Sequence, residues 1–149
     1  MNTDVSICKM KHDDVAFVGE IEKECFSRPW SCEAIEAELK NENAHFFCAE
    51  KDGCVLGYIG SHIVLDECYI ANLAVTASAR KCGIGQALID IATKNALSLN
   101  CAFVSLEVRK SNIAAVSLYE KCGFTLCGER KNFYSQPQEN ALIMTKFLK

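Results

Sequence analysis

The stretch Arg80-Lys81-Cys82-Gly83-Ile84-Gly85 places two basic side chains and two glycines at the head of an apolar helical repeat formed by Ile84, Leu88, Ile91 and Ala92. A helix begins with backbone N–H groups that have no partner within it, and its dipole adds partial positive charge there, so such a start suits an anion. Gly83 and Gly85 let phosphate oxygens approach the backbone without a Cβ in the way, while Arg80 and Lys81 supply charge. Two common phosphate loops are excluded by spacing. Gly85-Gln86-Ala87 lacks the Lys-Ser/Thr of a P-loop, and Leu88 fills the third small position of a dinucleotide fingerprint. What is left is an Arg-x-x-Gly-x-Gly loop entered from Leu73-Ala74-Val75, readable as a phosphate-binding turn or simply as turn residues ahead of a helix. Two further pieces lie downstream: Leu106-Glu107-Val108, and Asn112 followed by Tyr119.

The elements that must position these groups are legible in outline. Val5 to Lys9 alternates like a strand, and Asp13 and Asp14 are placed to cap a helix carrying Val18, Ile21, Glu22 and Cys25-Phe26. Ser27-Arg28-Pro29-Trp30 is a loop, with Ser31 as N-cap of a second helix to about Leu39. His45 to Glu50 and Cys54 to Leu65 form a hairpin around Lys51-Asp52-Gly53, and Cys68 to Val75 is the next strand. Strand Cys101 to Val108 precedes a helix capped by Ser111 or Asn112 that runs through Lys121, with Gly123 ending it. Thr125 to Tyr134 and Ala141 to Phe147 close the chain. The order β-α-α-β-β-β-α-β-α-β-β predicts an α/β fold: one mixed sheet carrying packed helices, in a single domain over residues 1–149.

Composition narrows the class. A net charge of −3 gives no basic footprint for nucleic acid. Met1 to Lys11 lacks the apolar core of a signal peptide, and no apolar run reaches membrane-spanning length, so a cytoplasmic location without a membrane partner is expected. The ten cysteines show no CxxC pair and no zinc-type spacing with His12, His45 or His62. They are expected to be small core hydrophobes in a reducing compartment, with neither disulfides nor metal.

With these residues in view, the chain resembles the GCN5-related N-acetyltransferase superfamily, whose acyl-CoA-binding motif Arg80 to Gly85 matches. More narrowly, it is similar to the bacterial ribosomal-protein-alanine N-acetyltransferases. The matching stretches are Cys25 to Ser31, Val64 to Glu67, Asn72 to Val75, Leu106 to Asn112, Leu118-Tyr119-Glu120, Gly123-Phe124 and Lys131 to Tyr134. The resemblance implies the acetyltransferase fold and acetyl-CoA as co-substrate. It also implies that Leu73, Ala74 and Val75 bind the pantetheine arm like an added strand. Backbone amides from Lys81 through Cys82, Gly83, Ile84 and Gly85 to Gln86 would hold the pyrophosphate, and Asn112 would also touch the co-substrate. Glu107 maps to the general base and Tyr119 to the general acid. Trp30 and Tyr134 flank the acceptor, the N-terminus of a protein or peptide, with the alanine of a ribosomal protein as the specific expectation. This chain departs from the subgroup at Phe133-Tyr134, where the pattern has two tyrosines, and at Ser135, where it has proline.

The chemistry accommodates these roles. A free α-amine has a pKa of about 7.7–8.0, so a useful fraction is unprotonated near neutrality, unlike a lysine ε-amine near 10.4. A carboxylate acting through water can therefore serve an N-terminal acceptor, and partial desolvation would raise its pKa toward neutrality. Residue spacing alone leaves Glu107 open to a second reading, a solvated strand-end carboxylate paired with Arg109. Tyr119 is equally readable as a core tyrosine, and Trp30 as a lid over the core. An oxyanion donor is expected among backbone N–H groups near Leu73, where the strand must splay. Two other functions stay open: acetylation of a small amine such as a polyamine or aminoglycoside, and a non-catalytic acyl-CoA sensor with no need of Glu107 and Tyr119.

Overall fold

The computed structural model describes residues 5–149, so part of the Met1–Lys11 stretch lies outside it. Local chemistry sets the elements. Strand β1 (Ser6–Lys9) leads to a 3-10 turn (His12–Asp14) and helix α1 (Val15–Cys25). Asp14 occupies the N-cap position of α1, but its carboxylate accepts from the Lys11 N–H at 2.8 Å rather than capping the helix as expected. Ser31 does cap α2 (Cys32–Glu38), its hydroxyl accepting from Ala34 N–H at 3.1 Å. Strands β2 (Ala44–Lys51) and β3 (Cys54–Val64) meet at a tight turn in which Asp52 and Gly53 take the left-handed φ values of 53° and 79°.

After β4 (Glu67–Val75) the chain makes a 3-10 turn (Ala77–Ala79) and enters α3 (Ile84–Ser98) through Gly83, whose φ of 81° turns the backbone into the helix. Strand β5 (Phe103–Arg109) is followed by α4 (Ile113–Lys121), capped by Asn112 rather than Ser111 through a bond from Ala115 N–H at 3.2 Å. The antiparallel pair β6 (Thr125–Tyr134) and β7 (Glu139–Phe147) completes the chain.

The seven strands form one sheet in the order β1-β2-β3-β4-β5-β7-β6, with β4 and β5 the parallel pair. One face packs Ile59, Ile70, Val104, Leu106 and Val108 against Leu88, Ala92 and Ala96 of α3 and Tyr119 of α4. The other packs Phe46, Cys48, Tyr58 and Ala74 against Val18 and Ile21 of α1 and Ile35 of α2. The cysteines divide, which corrects the expectation of ten core residues. Cys48, Cys68, Cys101 and Cys122 are buried, Cys25 is half-buried, and Cys8, Cys32, Cys54, Cys82 and Cys127 are exposed, all ten as free thiols. No helix among the described residues is long and apolar enough to cross a membrane.

Two irregularities break the regular pairing at the middle of the sheet. Parallel pairing of β4 with β5 covers only Glu67↔Phe103, Cys68↔Val104 and Tyr69↔Ser105; beyond it the strands part, β4 staying on β3 and β5 on β7. At the parting, the register of β4 against β3 shifts between Ser61↔Ile70 and Gly60↔Asn72, leaving Ala71 as a bulge. The extra residue inverts the alternation. Cys68 and Ile70 face α3 before it, whereas Leu73 and Val75 do so after it, so Asn72 turns to the α1 face.

Opposite Asn72, Gly60 leaves room for the Phe46 ring, which a Cβ there would overlap. That ring is held between Trp30 and Tyr58, with centroids 6.2 Å away on either side, so it has little freedom to retreat. Gly60→Ala is therefore expected to cost about 1–3 kcal/mol of stability as overpacking. Chemical denaturation of the variant beside the wild type measures it.

Candidate active site

The parted strands open a cleft of about 1440 Å³, walled by β4 and the Ala79–Gln86 loop on one side and by β5 and α4 on the other. Its floor is backbone. From Leu73 to Val75 the edge of β4 that would face β5 has no strand partner, and the cleft runs along it. At one end lies the start of α3. Ala87 is the first to close a helical bond, to the Gly83 carbonyl at 3.1 Å, so the amides of Ile84, Gly85 and Gln86 precede the ladder without intrahelical partners.

Most of the residues picked out in the sequence meet here. Trp30, Leu73, Ala74, Val75, Arg80, Lys81, Gly83, Ile84, Gly85, Gln86, Glu107, Asn112, Tyr119 and Tyr134 all line the cleft; Cys82 does not, its thiol turning back to the Arg80 carbonyl at 3.6 Å. Arg80 lines the cleft and is also tied into the loop. Its Nε donates to the Val75 carbonyl at 3.0 Å and its Nη2 to Cys25 Sγ at 3.2 Å, so the guanidinium pins the loop to the end of β4. Lys81, exposed and with a left-handed φ of 65°, is the basic residue left facing outward at the helix start.

Glu107 stands on the β5 wall facing away from Leu106 and Val108, which are buried against α3. Its carboxylate pairs with Arg130 Nε at 3.2 Å and a third of the side chain is exposed, so it is less desolvated than its apolar strand implies. The pairing with Arg109 weighed from sequence is not made. Arg109 instead bonds Glu139 at 3.3 Å and the carbonyls of Pro137 and Ser135 at 2.8 and 2.9 Å, holding the β6–β7 turn, and its guanidinium covers the Tyr134 ring at 4.5 Å.

Tyr119 is 7% exposed and packs its ring on Phe124, yet among the described residues nothing accepts from its hydroxyl, which belongs to the cleft wall. Burial, with the field of Tyr134 second, pushes its phenol well above the usual tyrosine value. Tyr134 is held up to about 12 by burial and then by the nearby Glu107 charge. Glu107, Tyr134 and Tyr119 all line this one cleft. Trp30 is half-buried, its ring resting on the α1-side core and its loop tied across the cleft by Arg28 Nη1 to Ser135 Oγ at 2.7 Å and Ser27 Oγ to the Gln136 carbonyl at 3.0 Å.

Glu22, Asn72 and Arg130 also line the cleft, with no role there expected from sequence. Glu22 leaves a trace in the sequence, since a carboxylate sharing the stripe of Val18 and Ile21 must be buried or the helix must twist. Arg130 leaves none, because its partner is set by how β6 pairs with β7. Among the described residues, no three His, Cys, Asp or Glu side chains cluster as metal ligands would.

This arrangement of parted parallel strands, glycine-led helix start and cleft is matched by sequence. The pattern of the acetyltransferase (GNAT) family fits residues 15–124, and the chain belongs to that family. Its relatives include a Bacillus subtilis protein provisionally named a ribosomal protein bS18-alanine N-acetyltransferase, 38% identical across 97% of this chain and 96% of that one. The Escherichia coli (strain K12) ribosomal protein bS18-alanine N-acetyltransferase is 32% identical across 97% and 96%. The crystal structure of the ribosomal-protein-S18-alanine N-acetyltransferase from Escherichia coli superposes with a TM-score of 0.89 at 28% identity, covering 97% of this chain and 94% of that one.

Proposed function

We propose that the protein transfers the acetyl group of acetyl-CoA to the N-terminal α-amine of a protein, with the alanine-initiated N-terminus of a ribosomal protein as its acceptor. The observation carrying this is the meeting, in one cleft, of an unpaired strand edge, a glycine-led helix start, a carboxylate and a free phenol. The related proteins named for ribosomal bS18 alanine support this choice of acceptor. Acetyl-CoA fits the residues present. Leu73 to Val75 would offer backbone donors and acceptors to an amide-bearing arm, the amides from Lys81 to Gln86 would take the pyrophosphate, and Asn112 stands at the facing helix.

When bound, acetyl-CoA supplies the activated thioester. Glu107, directly or through one water, takes a proton from the acceptor ammonium, and the lone pair so freed bonds to the acetyl carbon. A backbone N–H near Leu73 donates to the carbonyl oxygen as negative charge gathers there. Tyr119 gives its proton to the sulfur as the carbon–sulfur bond breaks and recovers one from the acetylated nitrogen, leaving free thiol and acetylated amine. Trp30 and Tyr134, on opposite sides of the acceptor end, hold the first residues of the incoming chain.

The test is the initial rate of free-thiol release from acetyl-CoA with peptides beginning Ala, Ser or Met, with acetyl-Ala, and with spermidine. Turnover of the Ala peptide, silence with its blocked form and a slower rate with spermidine are expected. Faster turnover of spermidine would replace the peptide reading with the small-amine one.

A further inference from the structure

The cleft has a second charged group that this mechanism does not use. Glu22 is 1% exposed, yet it lines the acceptor end of the cleft on the wall opposite Glu107. Its Oε2 accepts from Tyr58 OH at 2.6 Å and Asn72 Nδ2 at 3.2 Å, and its Oε1 from Trp30 N–H at 2.8 Å. Among the described residues, no Lys, Arg or His pairs with it. A desolvated carboxylate without a cation is costly, and three neutral donors offset that cost only in part. Such a charge belongs where a cation comes to meet it, and the acceptor arrives as an ammonium.

Asn72 joins this charge to the cleft. Its Nδ2 donates toward Glu22 Oε2 at 3.2 Å and the Tyr58 oxygen at 3.1 Å, neighbouring acceptors that fix which way the amide faces. The Oδ1 is left over. No described donor reaches it, and it is not sealed from solvent, since the one buried side-chain polar atom lacking a partner among the described residues is Asn95 Nδ2. The bulge at Ala71 turns Asn72 onto the α1 face, the face that Glu107 shares on the other arm of the parted sheet.

We propose that Asn72 Oδ1 binds a hydrogen of the acceptor amine, with Glu22 and Tyr58 as positioning residues that hold the Asn72 amide oxygen-outward and give that wall its negative charge. The amine is then gripped from β4 while Glu107 takes its proton from β5, which leaves the nitrogen lone pair free to attack. This rests on the acetyl-transfer reading. Burial, acting against the bonds from Trp30 and Tyr58, raises the Glu22 carboxyl above its usual range and accords with a charge awaiting a partner.

Glu22→Gln keeps the shape but puts an NH2 group toward Asn72 Nδ2, so the Asn72 amide rotates and shows the cleft a donor. With whichever amine the wild type turns over, Asn72→Ala and Glu22→Gln should each raise the acceptor KM roughly 10- to 100-fold, the worth of a hydrogen bond to a charged group. The acetyl-CoA KM should stay within about twofold. The double variant should lose clearly less than the two single losses combined, because Glu22 acts chiefly through Asn72. An unchanged acceptor KM, or losses that add in the double variant, overturns the proposal while leaving acetyl transfer standing. If no amine is turned over, the acetyl-transfer reading fails first, and the Asn72 side-chain amide signals in 15N NMR decide the remainder. Slowed hydrogen exchange in the wild type that is lost in Glu22→Gln supports the held orientation, and equal exchange in both refutes it.

Discussion

Glu107→Gln should lower kcat on an alanine-initiated peptide by roughly a hundred- to ten-thousand-fold, the usual worth of a positioned base. The fold should barely notice. The carboxylate's one ion-pair partner, Arg130, is 59% exposed, and surface pairs of that kind contribute little. The pH dependence separates a lost base from a distorted site. With no group to take its proton, the variant depends on amine that is already neutral, so its rate should climb through the α-amine range of about 7.7–8.0. The wild type should level off earlier. Rates of the two enzymes from pH 6 to 9 settle the point, and parallel profiles would remove Glu107 from the role of base.

Tyr119→Phe is the companion case, with an expected kcat loss of about a hundredfold or more and little change in either KM. The ring packing on Phe124 survives the substitution, and the hydroxyl leaves no described partner behind. The sign of its shifted acidity matters here. Burial favours the neutral phenol, so the proton is held past the ordinary tyrosine value near 10. The wild type should therefore show no loss from Tyr119 deprotonation between pH 7 and 10. A fall in that window that disappears in Tyr119→Phe would contradict the direction of the shift, and unchanged turnover in the variant would dismiss Tyr119 as the acid.

The parts of the fold readable from sequence were those with a local cause. The Asp52-Gly53 turn, the Ser31 cap, the glycine-led start of α3 and the Gly123 terminator each rest on a few adjacent residues. Family resemblance then named most of the cleft. What stayed hidden depends on pairings distant in the chain. The parting after Tyr69↔Ser105 and the bulge at Ala71 are properties of three strands together. Glu22 meets Tyr58 and Asn72 across 36 and 50 residues of sequence, and Glu107 finds Arg130 only because β7 lies between their strands. The cysteines show the converse error. An apolar neighbourhood in sequence buried four of the ten, but strand alternation and loop position left Cys8, Cys54 and Cys127 facing water.

The parting of β4 from β5 reaches beyond the reaction, to how long each molecule lasts. A strand edge left open inside a sheet is a template for a neighbouring chain as much as for an arm of acetyl-CoA. An occupant of the gap closes that edge and, at a hundred times its Kd, adds about 2.7 kcal/mol to native stability. Supply of the co-substrate is therefore expected to slow aggregation and proteolysis of the protein. Proteolytic half-life measured against acetyl-CoA concentration would show that dependence.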